Sequence, residues 1–75
     1  MTKKRIETTD IIFAAVLRVN SYKLHEIIKD DKRGTFVFLE VEEEIINKYN
    51  LGQILIEPNE FNSAIKFLTM AVKRV

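Results

Sequence analysis

The 75-residue sequence has no cysteine, no tryptophan, one proline, one histidine and two glycines. Without cysteine there are no disulfides, thiolate zinc sites or iron–sulfur clusters. A domain of this size buries a smaller share of its surface than a larger one, so helix packing or self-association must supply what a covalent staple would. The single histidine, His25, has no ligand-spaced partner and reads as an ordinary strand residue rather than a metal ligand. Gly34 and Gly52 are too far apart to build a phosphate-cradling loop. Ser21 and Ser63 stand alone, with no nucleophile-elbow sequence around either. No run approaches the roughly 18–20 apolar residues of a membrane span. Met1-Thr2-Lys3-Lys4-Arg5 begins like the charged region of a signal peptide, but the apolar stretch Ile11 to Leu17 is short and carries no cleavage-like site. These absences lead us to expect a single cytoplasmic domain, residues 1–75, that is not an enzyme and has no cofactor, metal or small-molecule substrate.

An apolar fraction of 47% argues for a folded core. The net charge is +1, which is not the global signature of a nucleic-acid binder. The charges are segregated, however. Residues 1–33 carry eight basic and five acidic groups, residues 34–60 carry one and six, and residues 61–75 carry three basic groups alone. Blocks of this kind are usually solvated faces that pair within the fold, and they can also steer a partner.

Local patterns place five elements. Thr8-Thr9-Asp10 supplies capping oxygens ahead of an apolar helix over residues 9–19, and Asn20 is a residue that tolerates the left-handed turn ending it. Tyr22, Leu24 and Ile28 would share one strand face, with Lys23, His25 and Lys29 on the other. Asp30-Asp31-Lys32-Arg33-Gly34 is a turn, and Thr35 to Val41 is dense in β-branched and aromatic residues. Residues 22–29 and 35–41 therefore read as a hairpin. Glu42-Glu43-Glu44 suits the positive end of a second helix, with Ile45, Ile46 and Tyr49 on its apolar edge and Asn50-Leu51-Gly52 at its close. Gln53 to Ile56 is a short apolar run whose composition fits either a third strand or a loop. After Pro58, residues Phe61, Ala64, Ile65, Leu68, Val72 and Val75 recur at helical spacing.

The expected fold is α+β: a β-hairpin, with a short third strand as an option, packed against three helices in the order α-β-β-α-(β)-α. The expected core is Ile12, Val16, Leu24, Phe36, Phe38, Ile45, Tyr49, Phe61, Ile65, Leu68 and Val72. Residues 1–7 are expected to form a flexible basic arm.

The helix start at Thr8-Thr9-Asp10, followed by Tyr22-Lys23-Leu24, Phe36-Val37-Phe38, Tyr49 and Pro58 with Phe61, Ala64 and Lys66, resembles a family of small bacterial and phage proteins known only as a domain of unknown function. The resemblance covers about residues 8–73. That family tends to carry Gly just before Tyr-Lys-Leu, whereas Asn20-Ser21 stands here. The resemblance implies a bacterial or phage setting and brings no activity with it.

Three function classes bear on these residues. Paired carboxylates serve acid–base or Mg²⁺ chemistry, but Asp30-Asp31 is accounted for by turn chemistry and Glu42-Glu43-Glu44 by helix-start electrostatics. Lys32-Arg33-Gly34-Thr35-Phe36-Val37-Phe38 is faintly similar to an RNA-recognition strand, one residue short and in the wrong order of elements. A looser nucleic-acid reading has Lys3, Lys4, Arg5, Lys32 and Arg33 converging on phosphates from the arm and the hairpin tip. The leading expectation is a non-catalytic protein–protein interaction or accessory subunit acting as a homo-oligomer. Its interface candidates are Phe13, Leu17, Phe67 and Met70, apolar residues beside the main helical stripes, and the hairpin's free edges could extend a sheet across a dimer.

Overall fold

The computed structural model describes residues 3–30 and 33–75. In chain order the elements are β1 (Lys3–Thr8), α1 (Ile11–Val19), β2 (Leu24–Asp30), β3 (Arg33–Glu42), α2 (Glu43–Asn50) and α3 (Pro58–Arg74). β3 is the central strand of a three-stranded sheet ordered β1-β3-β2, antiparallel to both neighbours. β1 and β2 therefore run parallel to each other on either side of it, linked by α1. The C-terminal residues Arg18 and Val19 of α1 lie beside Asn59, Glu60 and Ser63 near the start of α3. Thr9 and Ile11, at the other end of α1, lie beside Thr69 and Val72. The two helices thus pack antiparallel on one face of the sheet.

The α+β class stands, but the order is β-α-β-β-α-α. The segment expected as a basic arm is strand β1 from Lys3 onward. Ile6 and Thr8 pair in register with Phe38 and Phe36, while Glu7 pairs with Val37. Only Ile6 of this strand packs against the core as a hydrophobic residue, so the period-2 apolar signal was too weak to separate a strand from a tail. Gln53 to Ile56 forms no strand, and Leu55 is 98% exposed. Both edges of β3 are already occupied, by β1 and β2.

The core gathers Ala14, Ala15, Leu17, Phe36, Phe38, Val41, Ala64 and Leu68, with Leu24, Ile45, Phe61, Ile65 and Val72 packed around it. Ile12, an expected core residue, is 51% exposed. Leu17, expected to be spare surface, is fully buried. The inward stripe of α1 is therefore rotated toward Ala14 and Leu17, and the two alanines allow the close approach of a second helix.

Two bulges set which strand residues face the core. In β2 the register shifts between Leu24, opposite Phe38, and Glu26, opposite Val37. One extra residue on the strand reverses the phase beyond it. Ile27 therefore packs against the core and Ile28 is exposed, the reverse of the uninterrupted alternation. In β3 a second irregularity lies opposite Arg5, where Glu40 takes a left-handed φ of 56°.

The ends of α1 and α2 close in the same way. After α1, the Tyr22 N–H donates to the Leu17 carbonyl at 3.1 Å and the Ser21 N–H to that of Arg18 at 3.0 Å. After α2, the Gln53 and Gly52 N–H groups donate likewise to Lys48 and Tyr49. This Schellman pairing requires a left-handed residue one place beyond the cap. Gly52 (φ 70°) fills it after α2 and Ser21 (φ 73°) after α1. Asn20 is not the left-handed residue; its side-chain amide donates to the Val16 carbonyl at 2.8 Å.

Candidate functional site

Of the four expected interface residues, the structure leaves Phe67 (44%) and Met70 (50%) exposed. Leu17 belongs to the core. Phe13 is half-buried, its ring 4.6 Å from that of Tyr49. Phe67 and Met70 lie on the outer flank of α3. With Lys66, Ala71, Leu24 and Ile27 they line a groove of about 620 Å³ between this helix and β2. The Arg18 guanidinium lies 3.5 Å from the Phe67 ring centroid. A cation over the ring face holds the aromatic in place while its remaining surface meets solvent.

The groove borders an open sheet edge. Each edge strand presents unpaired N–H and C=O groups, a template for another strand unless charge or a bulge blocks it. The edge of β1 is crowded by Lys3, Lys4 and Arg5, and the strand it pairs with is irregular opposite Arg5. Two of its cations are also engaged. Lys4 pairs with Glu43 at 3.7 Å, and Arg5 with Glu7 at 2.9 Å and Glu26 at 3.7 Å. The Arg5–Glu7–Glu26 set flanks Val37 on the sheet face away from the helices. Val37 lies outside the core cluster yet is fully buried there. The edge of β2 differs. Beyond its bulge, Glu26 to Asp30 runs in unbroken register with β3, and its centre is Ile27-Ile28.

Of the five cations expected to converge on phosphates, the four among the described residues do not come together. Lys4 pairs with Val41 and Arg33 with Asp30, near opposite ends of β3. At about 3.3 Å per residue, eight residues separate them by roughly 26 Å. Lys3 and Arg5 belong with Lys4. Lys32 lies outside the described residues. Arg33 instead joins Lys29 and Lys73 around a second cleft, of about 720 Å³, at the hairpin end of the sheet. Sequence reasoning missed this grouping because its members come from three separate elements.

Two carboxylates cap helices. Asp10 caps α1, accepting from the Ile12 N–H at 2.9 Å through Oδ1, and it accepts from the Tyr49 hydroxyl at 2.9 Å through Oδ2. Burial, then the hydrogen bond and charge of Asp10, raise the Tyr49 phenol above its ordinary value. The pair fastens α2 to the start of α1. Glu57 caps α3 through the Glu60 N–H at 2.8 Å. Among the described residues, no three His, Asp or Glu side chains come together as metal ligands, and no helix is long and apolar enough to cross a membrane.

Comparison with protein-family models, with curated proteins and with solved structures finds no match.

Proposed function

We propose that this chain is a non-catalytic interaction protein that works as a homodimer, joined through the β2 edge and the α3 groove beside it. The observation that carries the reading is the juxtaposition of an edge segment in unbroken register, Glu26 to Asp30, centred on Ile27-Ile28, with the exposed Phe67 and Met70. A second copy suits this surface. Antiparallel pairing of β2 with itself satisfies the open N–H and C=O groups of both strands about a two-fold axis. The same rotation brings the α3 flanks of both copies toward the seam, where Phe67 and Met70 exchange solvent for apolar contact. A stable interface buries about 1,200–2,000 Å² in total, more than the strand edge alone supplies, so the helix flank is needed. The edge of β1, crowded by Lys3, Lys4 and Arg5, stays outside and disfavours further addition of strands. The resemblance to small bacterial and phage proteins adds a setting to this reading. The nucleic-acid alternative is less favoured, because Lys3, Lys4 and Arg5 stand apart from Arg33, and Lys4 and Arg5 are ion-paired.

Light scattering after size exclusion tests the proposal. The expected mass is that of two chains, and Phe67→Glu with Met70→Glu is expected to yield a folded monomer by circular dichroism. A strict monomer at every concentration would sink the reading.

A further inference from the structure

Among the described residues, the cleft at the hairpin end is lined by Lys29, Arg33 and Lys73, with Phe36 and Val72 among its apolar residues and no acidic side chain. It shares no lining residue with the α3 groove. Gly34 makes it possible. Its missing side chain lets β3 approach α3 so closely that a Cβ there would sit 2.9 Å from Val72 Cγ2. The contact brings the start of β3, carrying Arg33, against the last turns of α3, carrying Lys73. Lys29 stands opposite Gly34 in register. Its ammonium donates to the Val75 carbonyl at 3.3 Å, which fixes one of three donors and leaves two. Among the described residues none of the three cations is in an ion pair with a side-chain carboxylate.

We propose that this cleft binds a small phosphate monoester with a compact apolar body. Three cations from three elements exceed what one carboxylate balances and suit a dianionic phosphate, for which Arg33 offers a planar fork and the lysines point charges. The start of α1, at Thr9 and Ile11, also opens on the cleft with the positive end of its dipole. Asp10 is held by the Ile12 N–H and the Tyr49 hydroxyl and does not line the cleft, and Asp30 faces Arg33 across the strand pair. The Thr69 hydroxyl donates to the Ile65 carbonyl at 2.8 Å, so the cations carry the polar recognition. A cleft of about 720 Å³ falls within the range of small-molecule sites.

The test is a two-dimensional amide NMR titration of the full chain with phenyl phosphate, with phenol and with a short unphosphorylated single-stranded oligonucleotide. Saturable shifts are expected at Gly34, Thr69 and Lys73 with phenyl phosphate only. Arg33→Ala or Lys73→Ala should each weaken binding by about tenfold. Lys3→Ala, at the far end of the sheet, should leave the affinity unchanged. Absence of saturable shifts, equal weakening by Lys3→Ala, or binding of the oligonucleotide without phenyl phosphate would each overturn the assignment.

Discussion

Ser21 and Gly52 occupy the same position in the same helix-ending motif, and only one of them is glycine. This invites a reciprocal experiment. A left-handed conformation costs a residue with a Cβ about 1–2 kcal/mol, and replacing it with glycine adds roughly 0.4–1 kcal/mol of freedom to the unfolded chain. Ser21 is exposed and its hydroxyl makes no hydrogen bond among the described residues, so no contact is lost. Ser21→Gly should therefore stabilise the protein by about 0.5–1 kcal/mol. Gly52→Ala is the converse. A Cβ there meets nothing within 4 Å, so its cost of about 1 kcal/mol is conformational alone. For a domain of this size, changes of that order move the melting temperature by roughly 4–8 °C per kcal/mol. Urea denaturation followed by circular dichroism should show the midpoint rising for Ser21→Gly and falling for Gly52→Ala, with the slope unchanged. The double variant should return near the parent, because the sites share no contact. If Ser21→Gly lowered the midpoint at constant slope, the left-handed turn after α1 would be wrong.

Gly34→Ala is expected to destabilise by about 1–3 kcal/mol, because the new methyl overlaps the stiff Val72 side chain, and adding Val72→Ala should recover part of that loss in the same assay. The raised Tyr49 phenol means that the folded state holds this proton more tightly than the unfolded one. Its stabilising contribution is present below about pH 10 and is lost as pH climbs through the folded value. Comparing the pH dependence of the urea midpoint in Tyr49→Phe and parent should show a shallower alkaline decline in the variant; superimposable curves would refute the link. Asp10→Ala removes both the α1 cap and the Tyr49 acceptor, and should cost more than the roughly 0.5–2 kcal/mol of a cap alone.

Local physical chemistry was legible from the chain itself. The capping oxygen of Asp10, the helical spacing from Phe61 to Val72 and the β-branched, aromatic run through Phe36 and Phe38 place α1, α3 and β3, because each depends on neighbours a few residues away. The same periodicity singled out Phe67 and Met70 as lying outside the main stripe of α3, and they are exposed. It failed where a decision needed a distant partner. Lys3 to Thr8 is a strand only because β3 offers it an edge. Ile27 faces inward only because a bulge at the start of β2 reverses the alternation. Leu17 is buried only because α3 covers it.

The absence of disulfides and thiolate metal sites, the α+β class and the helix and strand propensities were thus determined by composition and by spacing along the chain. Only the tertiary structure decided which edge stays open, which apolar residues remain outside, and that Lys29, Arg33 and Lys73 meet at one cleft. Those properties depend on contacts between residues far apart in sequence, and a one-dimensional pattern carries no distance between elements.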